Sequence, residues 1–145
     1  AYQRNMERLQ LKWQTARQLV PEAEIVCRGG SVGVLYFGTT SLPIQEALDK
    51  LAVKGISLDT CRVRAFPFGD EVEAFVTEHD LMFVVEQNRD GQMRTLLINE
   101  LQTNPAKLIP ILYFAGLSIS ADFIDTHISA YYEEHKLARL SEVKS

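Results

Sequence analysis

The sequence predicts an α/β fold, a three-layer α/β/α sandwich in which helices cover both faces of a largely parallel sheet. Two observations support this prediction. Strand and helix patterns alternate along the chain, and two strands, Val32–Phe37 and 81–85, are continuous apolar runs. An uninterrupted apolar run is typical of a strand covered on both faces, and the alternation favours parallel strands joined by helices. The 145 residues are enough for one such domain.

The first predicted element is a helix over 2–20, which Pro21 ends because the residue before proline avoids the α region. Its apolar residues recur at spacings of three and four, and they are Met6, Leu9, Trp13, Ala16 and Val20. The helix is either an arm that leads in from a preceding domain or a helix packed on this domain's own sheet. In both cases we expect the Trp13 side to face protein, because an indole ring is poorly solvated.

Five strands and four further helices alternate after this helix. Gly55 ends the first of these helices, since glycine commonly follows the last helical residue. Pro110 has no N–H group for a ladder, so we place the last strand at an edge of the sheet. Ser120 is the predicted N-cap of the last helix. The strands are predicted at 24–28, Val32–Phe37, 58–64, 81–85 and 107–114, and the helices at 44–52, 72–79, 93–101 and from 120 onward.

Composition and charge argue against several functional classes. Nineteen acidic and fifteen basic residues give a net charge of −4 without a basic stripe, so we expect no nucleic-acid partner. No apolar run reaches the roughly 18–20 residues of a membrane span, so we expect no membrane partner. Cys27 and Cys61 are too few for a disulfide framework or a metal cluster, and we interpret both as packing residues in a reduced, cytoplasmic setting.

The chain is expected to be a piece of a longer one, because it starts without methionine. We divide it into a helix and connector at 1–21, the α/β domain at 22–136 and a polar tail at 137–145.

The first candidate functional segment follows the apolar strand Val32–Phe37 and precedes a helix. In parallel sheets ligands gather at the carboxyl ends of the strands, where backbone N–H groups at a helix start can bind an anion. Here the residues are small or carry hydroxyls, but a phosphate-loop lysine is missing. The simpler interpretation is that Thr40 or Ser41 caps the helix. The possible anion loop consists of Gly38, Thr39, Thr40 and Ser41.

The second candidate segment is a polar run directly after the strand at 81–85. Its seven residues are more than a turn requires, so it is either a docking or ligand loop or a well-capped turn. Within it, Asp90 can cap the next helix, Glu86 can pair with Arg89, and Gly91 gives backbone freedom. We expect Gln87, Asn88 and Arg89 to point outward. The segment consists of Glu86, Gln87, Asn88, Arg89, Asp90, Gly91 and Gln92.

No catalytic or metal centre is predicted. His79 lies at a predicted helix end, where a cation interacts favourably with the helix dipole, and His127 and His135 are eight residues apart on the last helix. No zinc-type spacing and no Gly-x-Ser-x-Gly motif occur.

Two runs, VRAFPF at 63–68 and FVVEQNRDGQ at 83–92, resemble the C-terminal part of the alpha subunit of 2-oxoacid:ferredoxin (acceptor) oxidoreductases. The similarity extends from the first helix to about Tyr131, and the second run is its most specific part. Further matches are Val20-Pro21, Gly33-Val34, Gly38-Thr39, Glu46-Ala47, Leu96-Leu97, Glu100-Leu101 and Gly116-Leu117.

The resemblance implies a fold like the C-terminal domain of transketolase, with five strands in the order 1-3-2-4-5 and the first antiparallel to the rest. By themselves Gly29 and Gly30 suggest a hairpin that would make the first two strands neighbours. We expect the family order, which puts the third strand between them.

The resemblance also implies an enzyme that oxidatively decarboxylates a 2-oxoacid, here taken to be 2-oxoglutarate, to an acyl-CoA. It implies thiamine diphosphate, magnesium and an iron–sulfur cluster in the complete enzyme, with the rest of the alpha subunit, the beta subunit, ferredoxin and coenzyme A as partners. This chain lacks the acidic-Gly-Asp…Asn signature for diphosphate and magnesium and has no cluster-type cysteine spacing. We therefore expect it to hold no cofactor and to be inactive by itself.

Three interpretations of the function remain. The chain is a structural and interface domain of that enzyme, in which 86–92 docks onto neighbouring domains. Alternatively, Gly38–Ser41 and 86–92 form a binding module for a small anion or for part of coenzyme A. The third interpretation is the equivalent domain of a transketolase or a 2-oxoacid dehydrogenase.

Overall fold

The structure is a computed structural model that describes residues 1–143, with side chains described for residues 1–135. It contains one five-stranded sheet in the order β1-β3-β2-β4-β5, in which β1 is antiparallel to β3 and the other neighbouring pairs are parallel. The predicted fold class and strand order are confirmed. The strands are β1 (Glu24–Val26), β2 (Val32–Phe37), β3 (Asp59–Val63), β4 (Leu81–Glu86) and β5 (Leu108–Leu112). The helices are α1 (Tyr2–Leu19), α2 (Ile44–Val53), α3 (Asp70–Glu78), α4 (Gln92–Leu101) and α5 (Ala121–Val143).

Two hydrophobic cores cover the two faces of the sheet. On one face, Val34 and Phe83 pack with buried residues of α2 and α5, such as Leu51 and Ile124. On the other face, Leu35 packs in the core that includes buried residues of α3 and α4. Because successive residues of a strand point to opposite faces, the apolar runs of β2 and β4 fill both cores.

The first strand is shorter than predicted and does not form a hairpin with β2. The backbone N–H of Arg28 donates to Asp59 Oδ1 at 2.6 Å, and the N–H of Gly30 donates to the same oxygen at 3.4 Å. These bonds direct the chain toward the start of β3, so β1 pairs with β3 instead of β2. At the opposite edge of the sheet, β5 pairs with β4, and its Pro110 lies opposite Val84. The edge position predicted from Pro110 is thus confirmed.

The last helix is fixed to α2 by polar contacts. Lys54 Nζ donates to both carboxylate oxygens of Asp125, at 2.7 and 2.8 Å, and to Ser129 Oγ at 3.0 Å. At its start, the N–H of Phe123 donates to Ser120 Oγ at 3.2 Å, which confirms the predicted N-cap. The polar tail predicted at 137–145 lies outside the residues whose side chains are described.

The first helix contacts the domain mainly through its carboxyl-terminal end. Arg17 pairs with Asp70 at 3.1 Å and with Glu73 at 2.5 Å, both at the start of α3. The ring of Trp13 meets Phe66 edge to face, with 5.2 Å between centroids, yet 47% of Trp13 remains exposed. None of the helices described within residues 1–143 is long and apolar enough to cross a membrane.

Candidate functional site

Both candidate segments lie at the carboxyl edge of the sheet. Strands β2, β3, β4 and β5 are parallel, so their carboxyl ends meet at this edge. Gly38–Ser41 follows β2, and residues 87–92 follow β4, which ends at Glu86. The structure therefore brings the two segments together, and Gln87 contacts Thr39 and Thr40.

Glu86 is the residue that fixes the second segment. Its side chain is fully buried, and one carboxylate oxygen accepts from the N–H of Met93 at 2.6 Å and from Asn88 Nδ2 at 3.0 Å. The other oxygen accepts from the N–H of Arg94 at 3.0 Å. These donors and the positive end of the α4 dipole compensate a buried carboxylate. Glu86 thus caps α4. The pair of Glu86 with Arg89 that the sequence suggests does not form.

Asn88 supplies the remaining cap of α4. Its Oδ1 accepts from the backbone N–H groups of Asp90, Gly91 and Gln92 at 3.1, 2.8 and 3.3 Å. Gly91 takes the left-handed backbone conformation, with φ of 63°, that the tight entry into the helix needs. The prediction that Asn88 points outward is therefore wrong, because its side chain turns back into the loop.

Asp90 does not cap α4, contrary to the prediction from the sequence. Its carboxylate accepts from Arg89 Nε at 2.8 Å, and these two side chains are 61% and 74% exposed. Arg89 therefore points outward, as predicted, at the tip of the loop. The exposed pair leaves the other guanidinium N–H groups of Arg89 available to a carboxylate of a neighbouring molecule.

Gln87 links three loops at the carboxyl edge. Its Nε2 donates to Thr39 Oγ1 at 2.8 Å and to Thr40 Oγ1 at 3.2 Å, and its Oε1 accepts from the N–H of Ile119 at 3.4 Å. It therefore joins the loops after β2, β4 and β5 and does not simply point outward. Sequence reasoning could not find this link, because its partners are 32, 47 and 48 residues away from Gln87 along the chain.

The first segment does not cap a helix. Gly38–Ser41 forms a short 3-10 turn, and the N-cap of α2 is Pro43, without a side-chain hydrogen bond. The predicted capping role of Thr40 or Ser41 is wrong because Leu42 and Pro43 intervene before α2 begins. The hydroxyls of Thr39 and Thr40 serve as acceptors for Gln87 instead.

Large apolar side chains are exposed on loops of the same edge. Leu42 after β2 is 81% exposed, Phe66 after β3 is 41% exposed, and Phe114 and Leu117 after β5 are 64% and 77% exposed. Single exposed apolar residues are ordinary, but several at one edge of a sheet are typical of a contact surface. We call Leu42, Phe114, Leu117 and Arg89 the carboxyl-edge surface.

A buried polar pair that sequence reasoning missed, His79 and Asp59, lies at the end of the sheet where the parallel strands begin, which we call the amino edge. His79 Nε2 lies 3.1 Å from Asp59 Oδ2, and His79 Nδ1 lies 2.7 Å from the carbonyl oxygen of Phe75. Burial by itself raises the pKa of the Asp59 carboxyl. Hydrogen bonds from the N–H of Arg28, from His79 and from the N–H of Gly30 together outweigh burial, so the pKa of Asp59 is lowered overall. This pair holds the start of β3 against the end of α3.

The other predicted histidines and cysteines contact different parts of the fold. His127 and His135 are exposed on α5, and each ring lies against an aromatic neighbour, Phe123 and Tyr131 respectively. Cys61 is buried in β3, and burial raises its pKa to about 12. Cys27 is exposed after the end of β1, so the prediction that it packs within a strand is wrong. Within the described part of the chain, no group of three or more His, Cys, Asp or Glu side chains is arranged to hold a metal ion.

Comparison with known proteins gives one sequence relative and several similar structures. The alpha subunit of 2-oxoacid:ferredoxin oxidoreductase 2 from Aeropyrum pernix is 34% identical over 92 residues, which cover 59% of this chain and 14% of the relative. No family model matches the sequence. This chain therefore corresponds to a small part of the relative.

One solved structure shares the fold, and a second gives a weaker superposition. A 2-oxoglutarate:ferredoxin oxidoreductase from Magnetococcus marinus, with 2-oxoglutarate, coenzyme A and succinyl-CoA bound, superposes with a TM-score of 0.69 and 21% identity, covering 81% of this chain and 21% of that one. The alpha chain of a probable 2-oxoacid ferredoxin oxidoreductase from Thermoplasma acidophilum gives a TM-score of 0.49 at 21% identity, over 76% of this chain and 96% of that one. The sequence relative and the shared fold together confirm that this chain resembles part of the alpha subunit of 2-oxoacid:ferredoxin oxidoreductases.

Proposed function

We propose that this chain is a non-catalytic docking domain in the alpha subunit of a thiamine-dependent 2-oxoacid:ferredoxin oxidoreductase. The complete enzyme would convert a 2-oxoacid, which we take to be 2-oxoglutarate, to its acyl-CoA and pass electrons to ferredoxin. Residues 1–21 connect the domain to the rest of the alpha subunit, and the carboxyl-edge surface contacts a neighbouring domain or the beta subunit. The two free cysteines support a reducing, cytoplasmic setting.

The observation that supports a docking role most strongly is the hydrogen-bond network beneath the carboxyl-edge surface. Glu86, Asn88 and Gln87 use their polar atoms on backbone groups and on neighbouring loops. The residues left pointing outward are Arg89 and the exposed apolar side chains on the adjoining loops. Rigid loops that present apolar side chains beside an arginine suit a protein interface, because little conformational entropy is lost on binding.

The same network argues against the alternative of a small-anion module. In the first turn of α4, the N–H groups of Gln92, Met93 and Arg94 already donate to Asn88 or Glu86. An anion at this helix start would also lie close to the buried Glu86 carboxylate, which would repel it. The short 3-10 turn Gly38–Ser41 has no regular helix of its own to bind an anion. A coenzyme A contact through Arg89 remains an outcome that the test below distinguishes.

The cofactors implied for the complete enzyme do not fit the described residues. Magnesium requires a set of oxygen ligands and an iron–sulfur cluster requires cysteine thiolates, whereas Cys61 is buried and Cys27 is exposed elsewhere. Thiamine diphosphate needs diphosphate donors, and the helix start at the carboxyl edge is occupied by Glu86 and Asn88. We therefore place all three cofactors in other parts of the enzyme.

The purified chain is expected to contain no stoichiometric iron and to bind no thiamine diphosphate. Within residues 1–135, no group of three or more His, Cys, Asp or Glu side chains is arranged to hold a metal ion. The N–H groups at the start of α4, which could bind a diphosphate, already donate to Asn88 and Glu86. Elemental analysis by mass spectrometry checks the metal, and titration calorimetry with magnesium and thiamine diphosphate checks the cofactor. One equivalent of tightly bound metal, or calorimetric binding in the micromolar range, contradicts the assignment.

Replacing Arg89 with Ala is expected to change the free energy of unfolding of the chain by less than about 1 kcal/mol, since an exposed ion pair contributes about 0–1 kcal/mol. In the complete enzyme the same change should weaken assembly or lower the turnover of 2-oxoglutarate-dependent ferredoxin reduction several-fold. The thermal midpoint of the chain and the steady-state kinetics of the enzyme measure the two effects. Glu78→Ala, an exposed change at the amino edge, is the matched control.

Each other outcome of that experiment has a distinct meaning. Unchanged assembly and turnover in Arg89→Ala would make residues 86–92 a capped turn without a docking role. A raised Michaelis constant for coenzyme A with intact assembly supports the binding module instead. A wild-type complex without any 2-oxoacid-dependent reduction of ferredoxin contradicts the proposed enzyme itself.

A further inference from the structure

A pocket at the amino edge of the sheet lies apart from the site described above. It measures about 390 Å³, within the range of roughly 300–1,000 Å³ that small-molecule sites occupy. The starts of β2 and β4 form one side through Val32 and Leu81, and α5 forms the other side through Tyr131, Tyr132 and His135. We call this cavity the α5 pocket.

Aromatic packing fixes the α5 side of the pocket. Phe83 in β4 meets Tyr131 edge to face, with 5.2 Å between the ring centroids, and stacks with Tyr132 at 6.2 Å. The ring of His135 stacks with that of Tyr131 at 3.8 Å, and His135 Nδ1 donates to the Tyr131 carbonyl oxygen at 2.8 Å. Because that bond uses the proton on Nδ1, Nε2 is left for another partner. The pocket therefore has an aromatic wall that is already in place.

Several polar side chains that line the pocket have no partner in the described part of the chain. The backbone N–H of Asp80 donates to the carbonyl oxygen of Ser31 at 2.9 Å, which joins the two loops that precede β4 and β2. Within residues 1–135, the side-chain oxygens of these two residues, the hydroxyls of Tyr131 and Tyr132 and Nε2 of His135 form no hydrogen bond or ion pair. Polar groups without partners that line one pocket are typical of a binding site.

The charges at the pocket are negative. Asp80 lines it, and the Glu134 carboxylate lies close enough to add to the effect of burial, which raises the pKa of the Tyr131 hydroxyl. Among the described residues, no Lys or Arg lines the pocket. Lys54, which contacts α5 earlier in the helix, is paired with Asp125. A cation is therefore attracted to the pocket, whereas a phosphate or carboxylate is repelled.

We propose that the α5 pocket binds a guanidinium group, either of a free alkylguanidine or of an arginine side chain of a neighbouring chain. A guanidinium has five N–H donors for the unpartnered oxygens and for Nε2 of His135, and it pairs with a carboxylate such as Asp80 through two parallel bonds. Its plane also stacks on aromatic rings, here those of the tyrosines. An ammonium group has three donors and no plane, so it fits less well. The pocket lies at the opposite edge from the carboxyl-edge surface, so this proposal is independent of the proposed function.

Three matched ligands test the chemistry of the pocket. n-Butylguanidinium, n-butylurea and n-butylammonium share one alkyl chain, and the urea has the planar shape of the guanidinium without its charge. Amide chemical shifts of the full chain are followed at about pH 8, above the ordinary pKa of histidine. We expect n-butylguanidinium to give saturable shifts at residues 31–32, 80–81 and 131–135, with a Kd about tenfold or more below those of the other two ligands. Equal affinity for n-butylurea, or saturable shifts confined to other residues, overturns the proposal.

Two matched substitutions test the role of the carboxylate. Asp80→Asn and Glu78→Gln each remove one negative charge near the amino edge, but only Asp80 lines the pocket, and both side chains are exposed. We expect Asp80→Asn to raise the Kd of n-butylguanidinium about tenfold and to abolish its preference over n-butylurea. Glu78→Gln should change that Kd less than about twofold, because exposed charges at a distance are screened. Equal effects of the two substitutions would mean that the ligand responds only to the net charge of the chain, which contradicts the proposal.

The complete enzyme distinguishes the two sources of the guanidinium. Saturation-transfer NMR reports whether n-butylguanidinium still reaches the pocket in the assembly, and comparison with Asp80→Asn isolates the signal that depends on Asp80. An Asp80-dependent signal supports a free alkylguanidine as the ligand. Its absence in the assembly, with binding retained by the full chain alone, supports an arginine side chain of a neighbouring chain. Whether the assembly reduces ferredoxin affects neither result, so the two proposals fail separately.

Discussion

Replacing Glu86 with Ala is expected to lower the free energy of unfolding by about 3–4 kcal/mol. The carboxylate is fully buried and accepts two backbone N–H groups of α4 and the side-chain amide of Asn88. Without it, these donors lose their partner in a site that water does not reach, and each unsatisfied buried donor costs about 1–3 kcal/mol. Gln at position 86 keeps an acceptor oxygen but loses the charge, so we expect roughly half of the effect.

Urea unfolding followed by circular dichroism measures this prediction. Asp90→Ala is the matched control, because Asp90 lies in the same loop, its side chain is 61% exposed, and among the described contacts that side chain pairs only with Arg89. We expect that control to change the free energy of unfolding by less than about 0.5 kcal/mol. A Glu86→Ala variant as stable as the Asp90→Ala variant would show that the cap contributes little to the fold.

The elements of this fold follow from local patterns, but the neighbour of the first strand does not. The apolar runs of β2 and β4 and the proline in β5 indicate central and edge positions, and the structure agrees. Gly29 and Gly30, in contrast, suggest a hairpin that does not form. The reason is Asp59, which binds the N–H groups of Arg28 and Gly30 from a position about thirty residues away. A bond over such a separation leaves no periodicity in the sequence.

The candidate site could be located from the sequence, but its internal contacts could not. An excess of polar residues after a buried strand marks the carboxyl edge. The residues that cap α4 are Glu86 and Asn88. The sequence instead predicts Asp90 as the cap, because Asp90 is closer to the first residue of the helix along the chain. Glu86 is the last residue of β4, and α4 begins six residues later at Gln92. Glu86 can therefore cap α4 only because the folded chain brings the start of the helix back against the end of the strand. The one available signal is a carboxylate that directly follows an apolar strand, where an uncompensated charge would be costly.

Replacing Asp59 with Asn is expected to lower the free energy of unfolding at pH 7 by about 2 kcal/mol. The Asp59 side chain is buried, and its two oxygens accept from the N–H groups of Arg28 and Gly30 and contact His79. Asn has a single oxygen, so if that oxygen still accepts from the backbone N–H groups, its amide nitrogen faces His79 in place of the second carboxylate oxygen. The substitution therefore loosens the contact between the start of β3 and the end of α3 at the amino edge, while the carboxyl edge keeps its own network.

The pH dependence separates the charge of Asp59 from its packing. The pKa of Asp59 is lowered in the folded chain, because its hydrogen bonds outweigh the effect of burial. A carboxyl whose pKa is lower in the folded than in the unfolded chain stabilises the fold at pH values above its unfolded pKa, which is about 3.9 for Asp. This contribution is lost as the pH falls through the pKa of the folded chain. The difference between wild type and Asp59→Asn should therefore be full at pH 6–7 (about 2 kcal/mol) and shrink as the pH falls from about 5 toward 3. Asp49→Asn, an exposed change on α2, should show no such trend. A difference that stays constant down to about pH 3 would mean that Asp59 acts through shape and neutral hydrogen bonds, without a contribution from its charge.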